Sequence, residues 1–170
     1  MGRYRSPPEK SSPYITPAGA RSLREELSYL WRKKRPKVLV ALAAAAAEGD
    51  RSDNAEYIYR KKEIGEIDRR IRYISKRLDE IQVVQHLPAN QEVVYFSARV
   101  EVKDATGSTR CYRIVGADEF HHDEAGISVD SPVAKALLGR KLGDKVSVVL
   151  PEDTAVFEII SIRYQQHDAE

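Results

Sequence analysis

Apolar positions recur at helical spacing along the first half of the chain. Leu23, Leu27, Leu30 and Val38 form one stripe, with Leu42 close to it. Thr16-Pro17 marks a start, an N-cap residue followed by proline at the first helical position. Lys34 interrupts the stripe. Pro36 sits inside it, where it removes a backbone hydrogen bond and should bend the helix. The run 41–47, ALAAAAA, has high helix propensity, and its small side chains let a partner helix approach closely. The pattern breaks at EGDRS, residues 48–52, where Gly49 suits a helix end. A second helix from near Asp53 carries Ile64, Ile67, Ile71, Ile74, Leu78 and Ile81. Their intervals of 3, 4, 3, 4 and 3 make an a/d heptad series. Two striped helices joined by a short loop predict an antiparallel coiled coil of about 30 residues per arm, roughly 45 Å long. Residues 48–52 form its tip.

Past LPAN, residues 87–90, the period becomes that of strands. Residues 93–102 and 109–115 flank Asp104-Ala105-Thr106-Gly107, which predicts a hairpin. Residues 126–129 read as a third strand. Ser131-Pro132 opens a short helix over 133–138 that Gly139 ends. Residues 145–150 and 155–164 complete a small α+β domain of about five strands and one helix. The expected division is a mobile Pro/Ser-rich arm over 1–14, a coiled-coil domain over 15–84 and a globular domain over 85–170.

Charge sharpens that division. The net charge of +2 averages two unlike halves. Residues 1–84 hold 19 Lys and Arg against 12 Asp and Glu, a balance of +7; residues 85–170 hold 9 against 14, a balance of −5. Such asymmetry implies different partners for the two halves. The one cysteine, Cys111, excludes an intrachain disulfide and a multi-cysteine zinc site, and fits a reducing cytoplasm. In its strand it is expected to be buried as a small apolar residue. No stretch approaches the roughly 20 apolar residues of a membrane span, and residues 1–13 lack the apolar core of a secretory signal. His121-His122-Asp123-Glu124 puts metal-capable side chains in a row, but neighbours in a loop rarely converge on one ion.

At the tip, Asp50 and Asp53 put two carboxylates three residues apart. Asp53 with Glu56 fits a capping box, and Asp50 fits a solvated loop acid. The functional reading is that a rod tip, too slender for a pocket, delivers both acids into another protein's site. Paired carboxylates are hard oxygen donors suited to Mg²⁺, which can activate a water for phosphodiester hydrolysis. A basic surface follows the rod: Arg32, Lys33, Lys34, Arg35 and Lys37 on the first helix, and Arg60, Lys61, Lys62, Arg69, Arg70, Arg72, Lys76 and Arg77 on the second. It is either a solvated face or a guide for single-stranded RNA. Trp31, Tyr57, Tyr59 and Tyr73 offer stacking surfaces, although packing is the expected fate of most of them.

These residues carry a resemblance. GDRSDNAEY at 49–57 is similar to the tip motif of the Gre family of bacterial transcript cleavage factors. So are YLWRKKRP at 29–36, EIDRRIRY at 66–73, YRIVG at 112–116 and ISVDSPVAKALLG at 127–139. The YLWR…RP segment and the start of the tip are closer to the GreB branch than to GreA. The resemblance covers about 16–164 and implies an antiparallel coiled coil followed by an FKBP-like domain. It implies a factor that enters the RNA polymerase secondary channel and stimulates the polymerase's own cleavage of a backtracked transcript. Such a factor is an activator rather than a nuclease. Asp50 and Asp53 would hold a Mg²⁺ shared with the polymerase. Arg51, Ser52, Asn54 and Tyr57 would support the tip. Arg32, Lys33, Lys34, Arg60, Lys61, Lys62, Arg69 and Arg70 would face the nascent RNA 3′ end. Asp130, Ser131 and Pro132 would grip the β′ coiled coil at the channel rim. The second acid departs from the family: Asp53 stands where Glu is usual, roughly 1.5 Å shorter in reach. A non-catalytic channel binder that regulates polymerase is the alternative. The implied protein is a bacterial, cytoplasmic monomer, associated with the nucleoid through polymerase.

Overall fold

The computed structural model describes residues 10–47, 54–122, 124–149 and 154–165. They form two compact units, one of residues 20–81 and the other of the remaining described residues. The division falls inside the first helix, a few residues past the expected start of the coiled coil. Among the described residues no helix is long and apolar enough to cross a membrane.

The helical unit comprises α1 (Pro17–Tyr29) from residue 20, α2 (Arg35–Ala47) and α3 (Ala55–Glu80). Past the buried Ala20, the buried positions of its first arm are Leu23, Leu30, Val38 and Ala45, at intervals of seven, eight and seven. The interval of eight spans a π-helical turn, Leu30–Lys34, closed by the Arg35 N–H donating to the Leu30 carbonyl. A π turn takes up one residue more than an α turn. It absorbs the extra residue and returns Val38 to the buried face. It also lies just ahead of Pro36, whose ring would clash with the carbonyl four residues back in a regular helix. On α3 the buried residues are Ile67, Ile71, Ile74 and Arg77. Arg77, 7% exposed, is buried beside the half-buried Leu78. Each fully buried Leu, Ile or Val contributes about 1.5–3 kcal/mol.

Polar ties fix the antiparallel register at three levels. Arg70 donates through Nε and Nη2 to the two Glu26 oxygens, each at 2.7 Å. Arg35 Nε donates to Asp68 Oδ1 at 2.8 Å, and Asn54 Nδ2 donates to the Ala45 carbonyl at 2.8 Å. The two ion pairs are partly exposed and worth about 1 kcal/mol or less each; they select register more than they stabilise.

The second unit is built on a five-stranded sheet of β3 (Arg99–Asp104), β4 (Thr109–Val115), β5 (Gly126–Ser128), β6 (Lys145–Val149) and β7 (Thr154–Arg163). The order is β5-β4-β3-β7-β6. Only β4 and β5 run parallel; the other pairs are antiparallel. Val100, Val102, Ile114, Val148 and Ile159 turn to one face, where Ala134 and Leu137 of α4 (Pro132–Leu137) close the core. In the β3–β4 turn, Asp104 Oδ1 accepts from the Thr106 and Ser108 N–H groups and the Thr106 hydroxyl; Gly107 supplies φ +88°.

Three expectations are corrected here. The strand predicted from residue 93 begins at Arg99. Ser97 has φ +68°, which breaks the extended backbone, and Val93 makes only an isolated bridge to Lys141. Cys111 is exposed rather than buried: on β4 its neighbour Tyr112 turns to the core and Cys111 to the opposite face. The end of the expected arm is ordered. Ser12 N–H donates to Asp130 at 2.9 Å, and β1 (Tyr14–Ile15) pairs in parallel with β2 (Gln82–Val83).

Behind β1 lies a buried carboxylate. Glu119 accepts from the Thr16 N–H (3.0 Å), the Gly116 N–H (2.7 Å) and the Thr16 hydroxyl, while Thr16 Oγ1 caps α1 by accepting from the Gly19 N–H at 3.1 Å. The site tolerates no added bulk. A Cβ on Gly19 would lie 2.0 Å from Glu119 Oε2, and one on Gly116 would lie 2.6 Å from the Tyr14 carbonyl.

Candidate functional site

The chain between α2 and α3 carries the sequence's most specific chemistry. Residues 48–53, and with them Asp50, Arg51, Ser52 and Asp53, lie outside the described residues. What borders them is well defined. Asn54, not Asp53, is the N-cap of α3: its backbone is extended, and its Oδ1 accepts from the Tyr57 N–H at 3.0 Å. Both residues are good caps by type. Asn54 uses its side-chain amide twice, because Nδ2 also reaches the Ala45 carbonyl. That second bond ties the first residue before α3 to the last turn of α2. Glu56 is the other half of the expected capping box. It is instead a partner of Arg60, whose Nε lies 2.7 Å away. Tyr57 is half-buried, with Lys61 Nζ 6.0 Å from its ring centre.

The predicted basic face does not stay together. Lys33, Lys34 and Arg60 converge with Lys37, Tyr29 and Glu63 on a cleft of about 310 Å³. Arg60 bridges Glu56 and Glu63 (2.9 Å) and stacks over Tyr59. The hydrogen bonds it donates to Glu56 and then Glu63 hold its guanidinium above its already high ordinary value, so it is a fixed cation. Arg70 is committed to Glu26 and stacks over Tyr73, 5.4 Å from the ring centre. Lys61, Lys62 and Arg69 are exposed on α3 and do not line the cleft. Arg32 is also exposed and lines a different groove, with Trp31. The expectation that most aromatics pack is overturned for Trp31, Tyr59 and Tyr73, all exposed. They stand off the buried stripe, and cations, rather than core side chains, approach their faces.

On the globular unit, Ser131 is the N-cap of α4, its Oγ accepting from the Ala134 N–H at 3.2 Å, and Pro132 opens the helix exposed to solvent. Asp130 accepts from Ser12 and donates its N–H to Ser128 Oγ. The three residues make a short segment braced by hydrogen bonds. Sequence reasoning missed two features. One is the Glu119 clasp; a Glu three residues after a glycine was its faint signal. The other is the groove at Trp31, which depends on facing residues of two helices.

Both halves of the chain match known families. The family described as "Transcription elongation factor, N-terminal" matches residues 13–83, and "Transcription elongation factor, GreA/GreB, C-term" matches residues 89–164. The protein named transcription elongation factor GreB in Xanthomonas axonopodis pv. citri is 52% identical over 165 residues, covering 96% of this chain and 98% of its own. That of Haemophilus ducreyi is 49% identical, covering 90% and 94%. A solved structure, Gfh1 of Thermus aquaticus, is 26% identical over 90% of this chain and 99% of its own, with a TM-score of 0.42.

Proposed function

The chain belongs to the GreA/GreB family of transcription elongation factors, and on that premise we propose that it enters the secondary channel of RNA polymerase and stimulates cleavage of the backtracked transcript. The observation that carries the reading is the ordered match of both halves, with near-complete coverage of relatives named GreB. The antiparallel helix pair supports it: residues 48–53, with the two acids, join the ends that Asn54 staples together.

In this reading the bond-breaking site belongs to the polymerase. Asp50 and Asp53 offer hard carboxylate donors of the kind Mg²⁺ accepts, and they would hold that ion together with the polymerase's active centre. When bound, the ion supplies charge stabilisation and an acidified water for attack on a phosphodiester. The chain's own part is to carry the acids in and orient them. The basic cleft of Lys33, Lys34 and Arg60 attracts the nascent RNA 3′ end, and the Asp130-Ser131-Pro132 segment contacts the rim of the channel. The protein acts as a monomer.

The test is RNA cleavage in a stalled, backtracked elongation complex with Mg²⁺. Shortened transcripts should appear on adding the protein and vanish with Asp50→Asn. Channel occupancy without cleavage by the parent chain would favour a non-catalytic regulator. Failure to bind polymerase would refute both readings.

A further inference from the structure

We infer that the groove at Trp31 is a stacking site for a single nucleobase of single-stranded RNA. Trp31 is 58% exposed, among the most exposed large apolar side chains described. It lines a hollow of about 440 Å³ with Arg24, Leu27, Ser28 and Arg32 on its own arm, and with Ile71 and Ser75 of α3 opposite. Residues 24, 27, 28 and 31 share one helix face by their spacing, as do 71 and 75. Leu27 and Ile71 give the hollow apolar walls. Ser28 and Ser75, short residues on facing helices, leave it open where larger side chains would fill it.

The indole is braced. The Arg35 guanidinium sits 5.5 Å from the ring centre, and Asp68 holds Arg35 at 2.8 Å. A planar, preset aromatic surface suits a flat ligand, and bases of any sequence stack on such surfaces. Charge selects a nucleotide over an apolar peptide. Arg24 and Arg32 border the hollow, and among the described residues neither is paired with a carboxylate. They are placed to meet the phosphates flanking a stacked base. The inference rests on the transcript-cleavage reading only for the source of the RNA, the extruded 3′ segment.

Trp31 is the chain's one tryptophan, so intrinsic indole emission reports this groove alone. The full chain is titrated with a single-stranded RNA of about ten nucleotides, and with the same RNA as a duplex, whose bases are already stacked. Saturable quenching by the single strand, weaker with the duplex, is expected. With end-labelled RNA, Trp31→Leu should weaken binding by about tenfold while Trp31→Phe retains most of it. Arg24→Ala and Arg32→Ala should each lower the salt dependence by about one ion. Unchanged emission, equal quenching by duplex, or full affinity in Trp31→Leu would each overturn the site. Quenching by core polymerase but not by RNA would overturn it in favour of a protein-docking groove. Cleavage stimulation is assayed in parallel. Stimulation without quenching sinks the groove alone; quenching without stimulation sinks the cleavage reading and leaves the groove standing.

Discussion

Removal of the Glu119 carboxylate should be among the most damaging single changes in the globular unit. Glu119 is 7% exposed and Thr16 only 1%. Three donors converge on the carboxylate: the N–H groups of Thr16 and Gly116, and the Thr16 hydroxyl. Hydrogen bonds to an ionised group contribute about 1.5–3 kcal/mol each, and buried donors left without an acceptor cost about 1–3 kcal/mol each. Water entering the vacated space would satisfy part of that loss. For Glu119→Ala we therefore expect a cost of about 3–5 kcal/mol, a large share of the roughly 5–15 kcal/mol that holds an ordinary domain folded. Glu119→Gln keeps one acceptor oxygen for the two N–H groups but deprives the Thr16 hydroxyl of its acceptor. Its cost should be about 1–2 kcal/mol. Urea unfolding followed by circular dichroism measures both, read as a shift in midpoint at unchanged slope. A loss below about 1 kcal/mol for Glu119→Ala would refute the claim that this carboxylate organises the start of α1. Equal losses for Ala and Gln would show that its charge, not its shape, is what matters.

Other outcomes follow from the same reasoning. Asn54→Ala should cost about 1 kcal/mol or slightly more in thermal unfolding, since it removes the α3 cap and the bond to Ala45 together; no change would mean that a neighbour takes over the cap. Asp53→Glu should stimulate transcript cleavage as well as or better than the parent, by lengthening the reach of the second acid by one methylene, and reduced cleavage would reverse that geometric argument. The Asp104 carboxylate is held below its ordinary value, first by the Thr106 hydroxyl, so the folded state binds its proton less readily than the unfolded chain. Its contribution is present above the ordinary Asp range, about 3.9, and is lost as pH falls through the lowered folded value. The Tm difference between the parent and Asp104→Ala should shrink as the pH is lowered through that range, and a constant difference would argue against the turn's carboxylate.

Local signals made much of this fold legible. The alternation in β3, β6 and β7 marks strands wherever one face is buried, and Ser131-Pro132 announces α4 because cap and first turn are contiguous. What escaped the sequence depends on distant partners. The pairing of β1 with β2 involves two residues from each side, too few for any periodicity. Asp53 and Asn54 are both acceptable caps by type, and the second bond that Asn54 makes, to the Ala45 carbonyl nine residues back, has no local signal in the sequence. Cys111 and Tyr112 are adjacent candidates for the core, and the sheet's facing chose the larger. For the tip, the motif at 49–57 is the evidence, since Asp50 and Asp53 lie outside the described residues. The basic residues were visible as a run, but their sorting into a cleft, ion pairs and a separate groove depends on which face of each helix they occupy.

The π turn at Leu30–Lys34 bears on how this lineage can change. Two independent constraints hold it: an interval of eight between Leu30 and Val38, and a proline just beyond it. Losing Pro36 by point mutation leaves the surplus residue still to be absorbed. Losing one residue by deletion leaves the proline ring facing a carbonyl. Only both events together return the arm to an unbroken α-helix, and each intermediate carries its own defect. The bulge is thus buffered against loss by single mutational steps, and a descendant that inherits it inherits the outward-facing tryptophan beside it.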